Sequence, residues 1–129
     1  MQSKILVVDE DTDFVELLRF RLKSVSVDVV TSTTVHDTLS MIRESAVDLI
    51  CLDADVPTGH GSQVVEHIAK HGKETSVPMI VFTENENLST LSACNRIRAY
   101  YIHKSPTFWN RLKPVLGEFL DVPSVRNTS

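Results

Sequence analysis

Two cysteines, no long apolar run and no surplus of basic side chains exclude several kinds of protein at the outset. Cys51 lies inside the apolar stretch Leu49-Ile50-Cys51-Leu52 and Cys94 in a segment of helical character. Both read as small hydrophobes in a reducing compartment rather than as a disulfide, and two thiols alone make no metal site. No segment approaches the roughly 20 apolar residues of a membrane span, and Met1 stands only a few residues ahead of the first apolar strand, which leaves no room for a secretory leader. A soluble, cytoplasmic protein without a membrane partner is therefore expected. Lys and Arg number 13 against 17 Asp and Glu, a net charge of −4. That balance provides no basic footprint for nucleic acid, so none is expected as a direct partner. Internal repeats and low-complexity tracts are lacking too. What remains, at 129 residues, is one domain long enough to bury about two-thirds of its unfolded surface.

The hydrophobic pattern alternates between two periods. Lys4 to Val8 reads as a buried strand, and Thr12 to Lys23 as an amphipathic helix with Phe14, Leu18 and Leu22 at four-residue spacing. Val27 to Thr31 is a second strand; Thr33 or Thr34 caps a helix whose core face is Val35, Leu39 and Ile42. A third strand covers Asp48 to Leu52, and Val64, Val65 and Ile68 mark a third helix ending near Gly72. Val77 to Phe82 is the fourth strand, Leu88 to Asn95 a weak, Ser/Thr/Asn-rich helix, and Ala99 to Ile102 the fifth strand. Phe108, Leu112, Val115, Leu116 and Phe119 line the last helix, inside which Pro114 predicts a kink near Lys113. Such alternation predicts an α/β fold: a doubly wound, five-stranded parallel sheet with helices on both faces. The domain spans residues 1–120, and 121–129 form a polar tail or the start of a linker.

In such a sheet every strand points its C-terminus to one edge, and ligands bind in the crevice outside that edge. Chemistry gathers there. Ile5-Leu6-Val7-Val8 runs into Asp9-Glu10-Asp11, and Leu49-Ile50-Cys51-Leu52 ends on Asp53, ahead of Pro57 and Gly61. Met79-Ile80-Val81-Phe82 runs into Thr83, and Tyr100-Tyr101-Ile102-His103 delivers Lys104. Crowded carboxylates repel each other, and a hard divalent cation relieves them; Mg²⁺ takes one or two carboxylates together with a phosphate oxygen. A phosphoryl donor then has a reason to approach Asp53, with Lys104 and the Thr83 hydroxyl placed to meet the charge on its oxygens.

The ordered set of Asp9-Glu10, Asp53, Thr83 and Lys104 resembles the receiver domain of two-component response regulators, of the chemotaxis-regulator type, over nearly the whole chain. The resemblance implies a flavodoxin-like (βα)5 fold and a phosphoryl-accepting switch rather than an enzyme, with self-phosphorylation and slow autodephosphorylation at most. It implies that Asp53 is the phosphoacceptor and that Mg²⁺ is held by Glu10, by Asp9 through water, by Asp53 and by the Asp55 backbone carbonyl. Thr83 and Lys104 match the switch hydroxyl and lysine, and Tyr101 the aromatic that turns inward as the hydroxyl moves. The implied partners are a sensor histidine kinase or phosphotransfer protein and, downstream, a protein or fused output domain that reads the face of the fourth helix, fifth strand and fifth helix.

The sequence departs from that pattern in several places. Glu10 stands where the family has Asp, with Asp11 a possible substitute, and the long, negative Glu84 follows the switch hydroxyl. His60 replaces an acid, and Ile97-Arg98 a Gly-Ala pair. The family's cis Lys-Pro becomes Lys104-Ser105-Pro106, in which a cis Lys104-Ser105 bond would cost roughly 2.5–4 kcal/mol. Two other readings use the same residues. Ile5 to Asp11 also resembles the Asp-x-Asp motif of haloacid-dehalogenase-like phosphatases, with Asp9 as nucleophile, although Asp53 would then have no task. A degenerate receiver, used only as an interaction module, is favoured by Glu10, Glu84 and the altered lysine loop. An FMN site is not expected, because the first loop is acidic where a phosphate cradle needs exposed amides. His67 and His71, one helical turn apart without a third ligand, read as a solvated face.

Overall fold

The computed structural model describes residues 3–32, 34–44, 47–53, 66–67, 70, 77–84 and 88–120. Its elements are β1 (Ser3–Val8), α1 (Thr12–Lys23), β2 (Val27–Thr31), α2 (Val35–Arg43), β3 (Leu49–Asp53), β4 (Met79–Thr83), α3 (Leu88–Arg96), β5 (Tyr100–His103) and α4 (Phe108–Phe119). Val64, Val65 and Ile68, expected on a third helix, the Pro57–Gly61 loop and the 121–129 tail lie outside the described residues.

All five strands are parallel, in the order β2-β1-β3-β4-β5. β3 and β4 are buried at every position, and β1 from Ile5 onward. Helices cover both faces of a parallel sheet, so its inner strands carry unbroken apolar runs instead of alternation. Successive side chains divide the core in two. Ile5, Val7, Cys51, Ile80 and Phe82 pack with Leu18 and Leu22 of α1 and Leu112 and Leu116 of α4. Leu6, Val8, Ile50, Leu52 and Val81 pack on the opposite face with Ile42 of α2 and Cys94 of α3.

Chain order reverses between β1 and β3, which makes their shared C-terminal edge the switch point of the sheet. Register then lines up the tips. Val8 pairs with Leu52, Asp53 with Phe82 and Thr83 with His103, so Asp9, Asp53, Thr83 and Lys104 end four neighbouring strands.

Several boundaries differ from the sequence reading by one or two residues, for local reasons. Asp48 accepts the Lys4 amide on its own carboxylate at 2.9 Å and stands just before β3, which instead runs on to include Asp53. Pro78 has no N–H, so β4 begins at Met79, although the Pro78 carbonyl still accepts from Ile50 N at 3.1 Å. Thr34 caps α2, its hydroxyl accepting from Asp37 N at 3.0 Å; Thr33 is outside the described residues. α4 runs without a break through Pro114. Arg98 adopts a left-handed φ of 56° in the turn after α3, a conformation glycine takes more easily.

Candidate functional site

Asp9 and Asp53 converge on one ammonium. Lys104 Nζ donates to Asp53 Oδ2 at 2.9 Å and to Asp9 Oδ2 at 3.0 Å, with Asp11 Oδ2 at 3.9 Å. The three principal side chains are enclosed, with exposures of 9% for Lys104, 2% for Asp9 and 6% for Asp53. Backbone contacts fix the lysine's approach: Lys104 N donates to Thr83 O at 2.9 Å, Ser105 N to His103 O at 3.0 Å, and Phe108 N to Ser105 O at 3.0 Å. Every peptide bond is trans among the described residues, Lys104–Ser105 included. With serine rather than proline after the lysine, nothing lowers the cost of the cis form.

The first acidic loop divides its labour. Asp9 Oδ1 accepts the Asp11 amide at 2.8 Å while Oδ2 faces the lysine. Asp11 caps α1, its Oδ1 accepting from Asp13 N at 3.1 Å and Phe14 N at 3.2 Å. Glu10 is exposed, and so is Glu84. Thr83 is fully buried at the end of β4. Tyr101 is half-buried with its hydroxyl oxygen enclosed. Asp55, expected to offer its carbonyl, lies outside the described residues, as do His60 and His71.

Burial raises the Asp9 carboxyl to about 6; the Asp53 charge adds to the rise, while the Asp11 amide and Lys104 oppose it. Burial pulls Lys104 downward, but its bonds to Asp53 and Asp9 and their charges outweigh this, leaving the ammonium above its ordinary value. Once both acids are ionised, two buried carboxylates share one cation. The negative charge in excess and the hard oxygen donors suit Mg²⁺. No cluster of three or more His, Cys, Asp or Glu side chains gathers as a metal site among the described residues. The buried thiols take no part: burial pushes Cys51 up to about 12 and raises Cys94.

The raised Asp9 value fixes a sign. A carboxyl whose folded pKa exceeds its unfolded one favours folding below about pH 4 and loses that contribution as pH rises through about 6. Metal-free protein is expected to lose roughly 2–3 kcal/mol of stability from this group over that window. Urea titrations from pH 4 to 7 should show the fall, and Asp9→Asn should flatten it; an unchanged slope in the variant would remove Asp9 as its source.

Sequence reasoning missed Phe14 at this site. Its ring lies under Lys104 Nζ, 4.4 Å from ring centre to nitrogen, and packs on Phe82 and Phe108 at 5.4 and 5.0 Å between centroids. The four-residue spacing from Phe14 to Leu18 and Leu22 marked it as core, which it also is.

Residues 5–108 match the family model described as the response regulator receiver domain. The chain is 26% identical over 119 residues to the response regulator protein PilR of Pseudomonas aeruginosa, covering 92% of itself and 26% of PilR. It thus spans about a quarter of that relative's length. Among solved structures, the response regulator protein TrrA of Thermotoga maritima, in complex with Mg(2+)-BeF, superposes with a TM-score of 0.73 at 25% identity, over 92% of this chain and 100% of that one. The chemotaxis protein CheY4 of Vibrio cholerae gives 0.74 over 93% and 100%, at 18% identity, a likeness of fold alone. With a matching family model across most of its length and an acid pair and lysine at the switch point of its sheet, the chain belongs to the response regulator receiver domains of two-component systems.

Proposed function

We propose that this receiver is a phosphoryl-accepting switch in which Asp53 takes the phosphoryl group from a phosphohistidine of a sensor kinase or phosphotransfer protein. The observation that carries the reading is the hold of one buried ammonium on the carboxylates of both Asp9 and Asp53, at 3.0 and 2.9 Å. An Asp53 oxygen attacks phosphorus, the bond from phosphorus to the donor's nitrogen breaks, and the imidazole leaves with that bond's electron pair, taking up a proton. Lys104 stays within reach of the new aspartyl phosphate and pairs with a phosphoryl oxygen. The Thr83 hydroxyl, one pairing step along from Asp53, donates to another.

Mg²⁺ would be held by Asp9, Asp53, Glu10 and the Asp55 carbonyl, and when bound it supplies charge screening between the donor and Asp53. TrrA, crystallised with Mg(2+)-BeF, lends support from a relative. Phosphorylation favours the state in which Thr83 and Lys104 contact the phosphoryl group, and Tyr101 carries that preference to the face of α3, β5 and α4. A downstream protein or a fused output domain reads the change. The site is one of stoichiometric transfer rather than turnover, and the setting cytoplasmic; no helix of the described residues is long and apolar enough to cross a membrane.

Incubation with acetyl phosphate and Mg²⁺, borohydride trapping and peptide mapping test the proposal. The label is expected on Asp53 alone. A label on Asp9 would transfer the reading to the phosphatase-like mechanism. No label from a broad panel of donors would leave an interaction module, the reading that Glu10, Glu84 and the altered Lys104-Ser105-Pro106 loop favour.

A further inference from the structure

We infer that Phe14 is a positioning residue for Lys104: its ring face holds the ammonium on the two carboxylates and so sets how readily a divalent cation or a phosphoryl group takes over those contacts. The inference rests on the proposed phosphoacceptor and Mg²⁺ site for its phosphoryl and metal arms, and on the metal-free geometry for the seat itself. An ammonium has three N–H donors. Two are committed to Asp9 and Asp53 at 3.0 and 2.9 Å. Beneath the nitrogen lies the negative face of the Phe14 ring, 4.4 Å from its centre, in a place where Lys104 is only 9% exposed. A cation over an aromatic face is attracted by the ring quadrupole, and more strongly where water is excluded.

The ring is itself held. Phe82 meets it edge to face at 5.4 Å and 70°, Phe108 lies tilted against it at 5.0 Å, and these two meet each other at 6.2 Å and 78°. Phe82 directly precedes Thr83, and Phe108 opens the helix that follows Lys104. Phe14 N is one of the two amides that Asp11 caps. One aromatic cluster therefore touches the acidic loop, the strand carrying the hydroxyl and the loop carrying the lysine. Lys104, seated on that platform, occupies the carboxylate oxygens that a divalent cation also requires. Weakening the seat should free them for the metal while leaving the lysine less well placed for a phosphoryl oxygen.

Phe14→Leu keeps apolar volume but removes the ring, and Phe14→pentafluorophenylalanine keeps the shape while reversing the polarity of the face. In metal-free protein both are expected to move the ε-methylene resonances of Lys104, which the ring current shifts in wild type. Calorimetry should show Mg²⁺ binding about three- to tenfold tighter in both. Beryllofluoride, at saturating Mg²⁺, should bind weaker by a similar factor. A purely structural role predicts otherwise: the fluorinated variant would match wild type, or every affinity would fall together. Either result overturns the inference, as do unmoved Lys104 resonances. If Phe14→Leu fails to fold, the fluorinated variant decides. If wild type takes neither beryllofluoride nor phosphoryl, the phosphoacceptor reading falls, and the resonances and the Mg²⁺ affinities still judge the ring.

Discussion

Lys104→Met is expected to lower stability by about 3–5 kcal/mol at pH 7, because breaking a buried ion pair from one side leaves charge without a partner. Here two carboxylates lose their shared cation at once. Asp9, already raised by burial, would also lose the two influences of Lys104 that hold its pKa down. It would titrate still higher, so the deficit should shrink as the solution is acidified and Asp9 takes up a proton. Methionine keeps most of the aliphatic length, which separates the effect of charge from that of packing. Urea unfolding at pH 5 and pH 8 provides the measurement, and Asp9→Asn in the Lys104→Met background should recover much of the loss at pH 8. An equal deficit at both pH values, without recovery in the double variant, would mean that the loss does not arise from unpaired charge on Asp9.

Phe82→Ala should cost about as much, roughly 3–5 kcal/mol, by a different route. Phe82 is 1% exposed. It packs T-shaped with both Phe14 and Phe108, and its removal opens a cavity between α1, β4 and α4 that neighbours locked in a close-packed sheet cannot fill. Phe82→Leu should lose considerably less, since it restores most of the volume. Denaturant midpoints for the pair give the comparison. A loss under about 1 kcal/mol for the alanine variant would show that the cluster collapses freely around the gap.

How much of this was legible beforehand varied with the physics involved. β1, β3 and β4 announced themselves because strands covered on both faces need unbroken apolar runs, and the runs of Ile5 to Val8 and Met79 to Phe82 leave little choice of element. Their tips followed from topology, which is why Asp9, Asp53, Thr83 and Lys104 stand where the pattern put them. Ends were less legible. Where β3 starts and stops rests on partners far along the chain: Asp48 meets Lys4, 44 residues away, and Asp53 pairs with Phe82 of β4. Asp11 offered two readings, ligand or cap, which differ only in where its oxygens point. Phe14 was assigned correctly to the core, yet periodicity reports which face of a helix a ring is on and says nothing about a cation on the ring's other side.

The bond between Lys104 and Asp9 joins residues 95 apart in the chain, and that between Lys104 and Asp53 residues 51 apart. Contacts of such long range require closing large loops, and the entropy of closure must be met before they contribute. During folding, β1 and β3 can pair and bring their acids together well before β5 docks with the lysine. The growing sheet would then carry its own repulsion at the centre until almost every strand is in place. The same arrangement that waits for a phosphoryl group thereby makes the last strand the counter-charge of the first, and ties completion of the fold to completion of the switch.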